Sequence, residues 1–326
     1  MTEKQRFIKA LKRERFAGHV PHFELVFNLT MESLGRVHPC SRNYNQWDQM
    51  SSAEQNLHIN DLADLYIAIA RKYHHSAILV GPANNAFDNN LDITRRLLER
   101  IREKSGNEFF LMRHGDVTTG IPTGTTMHEF SVMMYEEPEK IKEQQERNIE
   151  YRAGMARELD KQGHLLDGFA LCADLCFNTN SFFPPDIFAD LVAPYLKKIV
   201  NIYREMGYYS IKHTDGNVMP ILEQIVDCAP DAVHSLDPQG GIDLREVKRL
   251  YGDRVTLCGN VNCGLLQTGT DEEVAADVRR SLRDGMEGGT GYIFCTSNSV
   301  YPGMPLYRFE MMHDIWRAEG IWQTSR

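Results

Sequence analysis

His213 and Asp215 stand two residues apart at the end of an apolar run, in IKHTDGNVMPIL (211–222), just before Gly216 and Asn217. In an extended strand residues i and i+2 share a face, so the imidazole and the carboxylate project together where the chain must turn. A neutral imidazole and a carboxylate joined by one or two thiolates make the donor mix of a tetrahedral zinc site, and an incomplete protein set leaves a position for substrate. Cys263 and Cys295 are the expected sulfur donors, which makes His213, Asp215, Cys263 and Cys295 the expected metal ligands. Magnesium would ask for more oxygens, so zinc is the expected ion. The plain alternative is a structural histidine–carboxylate pair with cysteines that merely fill the core, because an isolated H-x-D carries little information and free cysteine is usually buried.

Elements that would bring such groups together are visible along the chain. Eight short apolar or β-branched runs stand out: 20–27, 76–82, 108–115, 168–175, 208–216, 231–238, 254–262 and 291–299. Helical periodicity fills the intervals at 59–75, 91–106, 138–163, 184–207, 217–230, 243–252, 271–289 and 305–320. Strict strand–helix alternation predicts parallel strands joined by right-handed crossovers, and eight units predict a (β/α)8 TIM barrel. The reading is a single domain, 1–326, with an N-terminal helical extension and insertions after the first and third strands, the second of them at 116–137. An open doubly wound sheet is the rival, but no Gly-rich dinucleotide fingerprint follows any run.

In such a barrel, function gathers at the C-terminal ends of the strands. The polar residues there are His22 and Glu24, His114 and Asp116, Asp174, His213 and Asp215, His234 and Asp237, Asn260 and Asn262, with Cys263 and Cys295. His213, Asp215 and Asp174 are the expected catalytic groups, and Asn260 and Asn262 the expected cofactor contacts. Whether Asp237, Cys263 or Glu24 completes the metal set stays open at this level. Phe177, Phe182, Phe183 and Tyr301 are candidates to cradle a substrate ring, and each is equally explicable as packing.

Composition narrows the partners. With 42% hydrophobic and 25% charged residues, the 326-residue chain reads as an ordinary globular protein. A net charge of −9 offers no basic field for a nucleic-acid backbone. No apolar run is long enough to span a bilayer, and the start, MTEKQRFIKALKRERF, lacks a signal-peptide core, so a cytoplasmic protein is expected. Seven cysteines, an odd number set mostly inside apolar segments, are not a disulfide framework.

The order H-x-D-G-N (213–217), D-P-x-x-G-x-D-L-x-E-V-K (237–248), L-x-G-N-V-N-C-x-L-L-x-x-G-T-x-E-E-V (257–274) and G-Y-I-F-C (291–295) resembles the uroporphyrinogen decarboxylase superfamily. Within it the chain looks most like the methyltransferases that work with corrinoid proteins, and the likeness is clearest over about 168–320. The resemblance independently implies a (β/α)8 barrel. Two departures refine it. The arginine-rich signature that holds a porphyrinogen's carboxylates is replaced by FELVFNLTMESLG, with no arginine before Arg36. The zinc methyltransferases carry H-x-C on the fifth strand and a cysteine on the eighth; here His213 and Cys295 match, but Asp215 takes the place of the first cysteine. A carboxylate makes the metal a stronger Lewis acid, suited to an ether oxygen rather than a thiol. The resemblance so read implies transfer of a methyl group from an O-methyl donor, a methoxylated aromatic, to the cobalt of a corrinoid (cobalamin). The alternatives are methyl transfer from a methylcorrinoid to a thiol, and metal-free decarboxylation of a small acid. No D-x-H-x-x-G corrinoid signature occurs, so a separate corrinoid protein is the expected partner, docking on the loops after strands one and three. A homodimer is also compatible with the sequence.

Overall fold

The computed structural model describes residues 1–42, 44–81, 90–161 and 163–323. Seven parallel strands form one curled sheet in sequence order: β2 (Ala77–Leu79), β3 (Phe110–His114), β4 (Gly168–Cys172), β5 (Tyr209–Thr214), β6 (Ala232–Ser235), β7 (Thr256–Cys258) and β8 (Tyr292–Ile293). A small antiparallel pair, β1 (Gly18–His19) with β9 (Ile321–Trp322), stands apart from it. Helices separate the strands, as the alternating pattern predicts, and the architecture is α/β and consistent with a TIM-like barrel.

The first expected strand, 20–27, differs from the prediction. It is not a regular strand, but His22 makes isolated parallel bridges to His75, beside β2, and to Phe294, beside β8. Its backbone is tied on both flanks, Ser76 N–H donating to His22 O at 2.6 Å and Phe294 N–H to Pro21 O at 2.8 Å. The second expected strand, 76–82, runs into residues that lie outside the described set.

Alternation along the strands divides the core in two. Phe23, Leu25, Ala77, Phe110, Met112, Ala170, Ile211, Ala232, Cys258, Ile293 and Cys295 form an inner cluster. Phe7, Ala10 and Leu11 of the N-terminal helix Glu3–Leu11 join this cluster, Phe7 meeting Phe23 edge-on at 5.6 Å. The larger cluster, with Leu111, Phe169, Leu171, Val233 and Leu257, faces the surrounding helices. Among the described residues no helix is long and apolar enough to cross a membrane.

Local chemistry shifted several helix boundaries. The helix expected at 59–75 runs Ser52–Lys72, because Ser51 and Glu54 form a reciprocal capping box upstream of the apolar stripe. The helix expected at 184–207 is two, Pro185–Leu191 and Ala193–Glu205, broken where Pro194 lacks the N–H that a continuous ladder needs. The segment 116–137, expected as an insertion, contains a helix of its own, Thr126–Glu136.

Candidate metal centre

The chain beyond β5 places Asp215 and then Gly216, whose φ is +78°. A Cβ here would come within 2.6 Å of Phe177 O, so only glycine permits the turn. Before the turn the i, i+2 relation holds in space: His213 Nε2 lies 3.8 Å from Asp215 Oδ1.

A third group arrives from β4. Cys172 pairs in register with His213, and Asp174, two residues on, brings Oδ1 to 3.8 Å from the same Nε2. Its segment is pinned from several directions. Leu175 N–H donates to Thr214 Oγ1, and Asn217 N–H to Phe177 O, both at 2.8 Å. Ile121 N–H donates to Asp174 O at 2.8 Å. Lys212, on the opposite face of β5 from His213, is 1% exposed; it pairs with Asp116 at 2.7 Å and donates to Ala173 O at 3.3 Å. One donor atom from each of Asp174, His213 and Asp215 falls within 4.8 Å of the others, the geometry of a group that can hold a cation.

The surroundings orient this group. His213 Nδ1 and His234 Nδ1 are 2.7 Å apart, so one ring donates and the other accepts. Burial drives the His213 pKa well below its ordinary value, helped by His234, Lys212 and His114. Burial likewise lowers His234 to about 4, and both rings are neutral at physiological pH. Ser235 Oγ donates to Asp215 Oδ1 at 2.9 Å and Asn298 Nδ2 to Oδ2 at 2.8 Å. Despite these donors, burial raises the Asp215 pKa to about 7, with Asp174 and Asp237 adding to the rise. Asp174 is open to solvent, its side chain 62% exposed.

Among the described residues, the group around His213 does not include Cys263 or Cys295, the sulfur ligands expected from the sequence. Cys295 is fully buried in the inner cluster with Cys258 and Ile293, and burial lifts its thiol far above the ordinary range. Cys263 opens the helix Cys263–Thr268, is 1% exposed, and is pushed up to about 12 by burial. The expected cofactor contacts are occupied elsewhere too. Asn260 is fully buried, donating to Leu236 O at 2.7 Å and accepting from Arg280 at 3.0 Å. Asn262 caps the following helix, its Oδ1 accepting from Gly264 N–H at 2.8 Å. Asp116 is committed to Lys212, and Asp237 caps the turn Pro238–Gly240. Of the ring-cradling candidates, Phe183 is core, whereas Phe177 is 44% exposed.

From the sequence, Asp174 is expected among the catalytic residues but not among the ligands. The signal was available: parallel register sets the residue two beyond Cys172 alongside the end of β5. His234 shows the same inward step, two residues beyond Ala232. Ser235 and Asn298 carry no comparable mark, since hydroxyls and amides are common throughout the chain.

Fold and site together define an α/β protein of TIM-like type with an imidazole–dicarboxylate group at the C-terminal ends of β4 and β5. The uroporphyrinogen decarboxylase (URO-D) family model matches residues 117–318, and the chain belongs to that family. Among solved structures, a methyltransferase from Methanosarcina mazei superposes with a TM-score of 0.71 at 18% identity, covering 98% of this chain and 99% of its own. A 3-keto-D-glucoside 4-epimerase from E. coli gives 0.45 at 10% identity over 80% of this chain and 94% of its own. A xylose isomerase domain protein from Alicyclobacillus acidocaldarius gives 0.44 at 11% identity over 78% and 92% respectively. A search of curated proteins found no matching sequence.

Proposed function

We propose that residues 1–326 act as one domain, a cytoplasmic zinc-dependent methyltransferase. It would take a methyl group from a methoxylated aromatic and deliver it to the cobalt of a corrinoid on a separate protein. The observation that carries the reading is the convergence of Asp174, His213 and Asp215 at the strand ends. Family membership and the fold shared with the M. mazei methyltransferase support it.

The donor set fits zinc. An imidazole nitrogen favours it over magnesium, and three protein ligands leave a position for substrate. Each residue's part follows from its partners. With His213 donating from Nδ1 to His234, the tautomer that metal binding requires, the Nε2 lone pair would face the two carboxylates. Ser235 and Asn298 each hold one oxygen of Asp215, so the carboxylate keeps its orientation when it loses its proton. The exposed Asp174 would complete the set from the solvent side. Zinc held there would serve as a Lewis acid toward the donor's ether oxygen. With oxygen donors in place of sulfur, the set is harder than the one first expected, which strengthens the preference for an oxygen-bound methyl group. The helix Thr126–Glu136 exposes Val132 and Tyr135, and β4 leads to the exposed Phe177; these are the surfaces proposed to receive the corrinoid protein.

The test is metal analysis of the purified protein paired with methyl-transfer assays on methoxylated aromatics and a reduced corrinoid protein. About one zinc per chain, and transfer that stops on chelation and returns with zinc, is the expected result. Full transfer after metal stripping, or carbon dioxide release from a carboxylated substrate without any cobalt partner, overturns it.

A further inference from the structure

Lys212 stands where the fold calls for an apolar side chain. Its register partners on the flanking strands are Leu171 of β4 and Val233 of β6, both part of the cluster that faces the helices. A buried ion pair is a weak source of stability, since apolar side chains of similar volume often serve as well. The contacts of the ammonium are more informative. Its Nζ lies 2.7 Å from Asp116 Oδ2 and donates to Ala173 O at 3.3 Å, and the two side chains are 1% and 7% exposed.

Both contacts lead to Asp174. Ala173 precedes it in the chain, so the bond to Ala173 O holds the peptide from which Asp174 starts. The ion pair acts through the segment after β3. Asp116 Oδ1 accepts from Thr118 N–H at 2.8 Å and from Thr118 Oγ1 at 2.7 Å, which shapes the turn leading to Gly120 and Ile121. Gly120 packs so closely that a Cβ there would come within 3.1 Å of Asp174 O, and Ile121 N–H donates to that same oxygen at 2.8 Å. On the other side Leu175 N–H is held by Thr214 Oγ1. The Asp174 side chain is mostly open to solvent, so its backbone is what keeps it near His213. Asp215 differs, because Ser235 and Asn298 hold its oxygens directly. Successive residues of a strand point to opposite faces, so β5 sends His213 inward and Lys212 outward from adjacent positions.

We propose that Lys212 is a positioning residue of the metal centre: through Asp116 and Ala173 it keeps Asp174 within reach of His213 Nε2. Without it the centre retains His213 and Asp215 but loses its third donor. The inference rests on the metal centre of the proposed function and names the residue that completes it.

The test uses the full-length protein with zinc(II) or cobalt(II) alone. Lys212→Met by itself would leave Asp116 buried without its counter-charge, so it is paired with Asp116→Asn, which keeps an acceptor oxygen for Thr118. Chelator competition should show zinc affinity about tenfold to 100-fold weaker in the paired variant. The same pair placed in Asp174→Ala should change affinity by less than about twofold, since a residue acting through Asp174 then has nothing to act on. General loosening of the fold would weaken both backgrounds alike. The visible spectrum of cobalt(II) in the paired variant should match that in Asp174→Ala and differ from wild type. Melting curves establish that each variant folds, and Asp116→Asn alone, expected to move affinity and spectrum the same way, decides the matter if the pair does not. Wild-type zinc affinity in the paired variant, an equal loss with and without Asp174, or a wild-type cobalt spectrum overturns the proposal; methyl transfer by the wild-type protein would then leave the transferase reading standing. If the wild-type protein binds zinc and the expected pattern is found, but no methyl group reaches a reduced corrinoid protein, the transferase reading fails and the role of Lys212 stands. A wild-type protein that binds neither ion overturns both.

Discussion

The ends of β4 and β5 and the end of β8 use the same step and reach opposite results. On β5, the residue two beyond the inward-facing Ile211 is His213, and on β8 the residue two beyond Ile293 is Cys295. His213 meets two carboxylates and a second imidazole, and the neighbouring Asp174 is open to solvent. Cys295 is buried in the inner apolar cluster that also holds Phe23, Leu25 and Cys258. Direction along a strand therefore does not decide whether a side chain can serve a ligand. What decides it is whether the adjoining loops leave a polar opening or press apolar groups over it. At the β4–β5 edge Ser235, the last residue of β6, and Asn298, in the loop after β8, supply donors to a carboxylate.

The contrast can be broken most directly at its polar pole. His213→Ala should lower zinc content to background and methyl transfer by about 100-fold or more, read by metal analysis and single-turnover assay. Zinc retained at one per chain would place the ion elsewhere. The pH dependence comes next in size. Because Asp215 holds its proton up to about pH 7, zinc must displace that proton, and affinity should fall about tenfold from pH 8 to pH 6. Asp215→Asn should flatten that profile. The same shift has a sign for stability: an unfolded-chain aspartate ionises near its ordinary value of 3.8, while folded Asp215 stays protonated to about 7. The metal-free protein therefore loses stability as pH rises through that window, and thermal melts of Asp215→Asn should lack that component of the loss.

Smaller effects sharpen the comparison. His234→Phe removes the partner that orients His213 while leaving the donor set intact, and zinc affinity measured by competition should drop by about tenfold. Cys295→Ala should leave zinc affinity within about twofold and cost about 1 kcal/mol of unfolding free energy by denaturant titration, because the sulfur only packs. Loss of zinc in Cys295→Ala together with retention in His213→Ala would invert the assignment.

Much of this was legible in the chain. Apolar periodicity located strands β2 to β8 and most of the helices, because period 2 and period 3.6 are properties of local geometry. H-x-D-G announced a histidine and a carboxylate on one face ahead of a turn that only glycine can make. The misplaced boundaries have local reasons as well, in the capping box at Ser51 and the missing N–H of Pro194. The segment 20–27 read as a strand and carries bridges on both flanks, yet its pairing is too interrupted to be one.

The sequence by itself determined the alternation of elements, the residue types at the strand ends and the pairing of His213 with Asp215, all of which depend on neighbours a few residues away. Only the tertiary structure decided that Asp174 joins them, since that meeting needs the parallel register of β4 on β5 and the loop bonds that pin Leu175 and Asn217. It also buried Cys263 and Cys295, because burial is set by what packs over a side chain, and no residue carries that information alone.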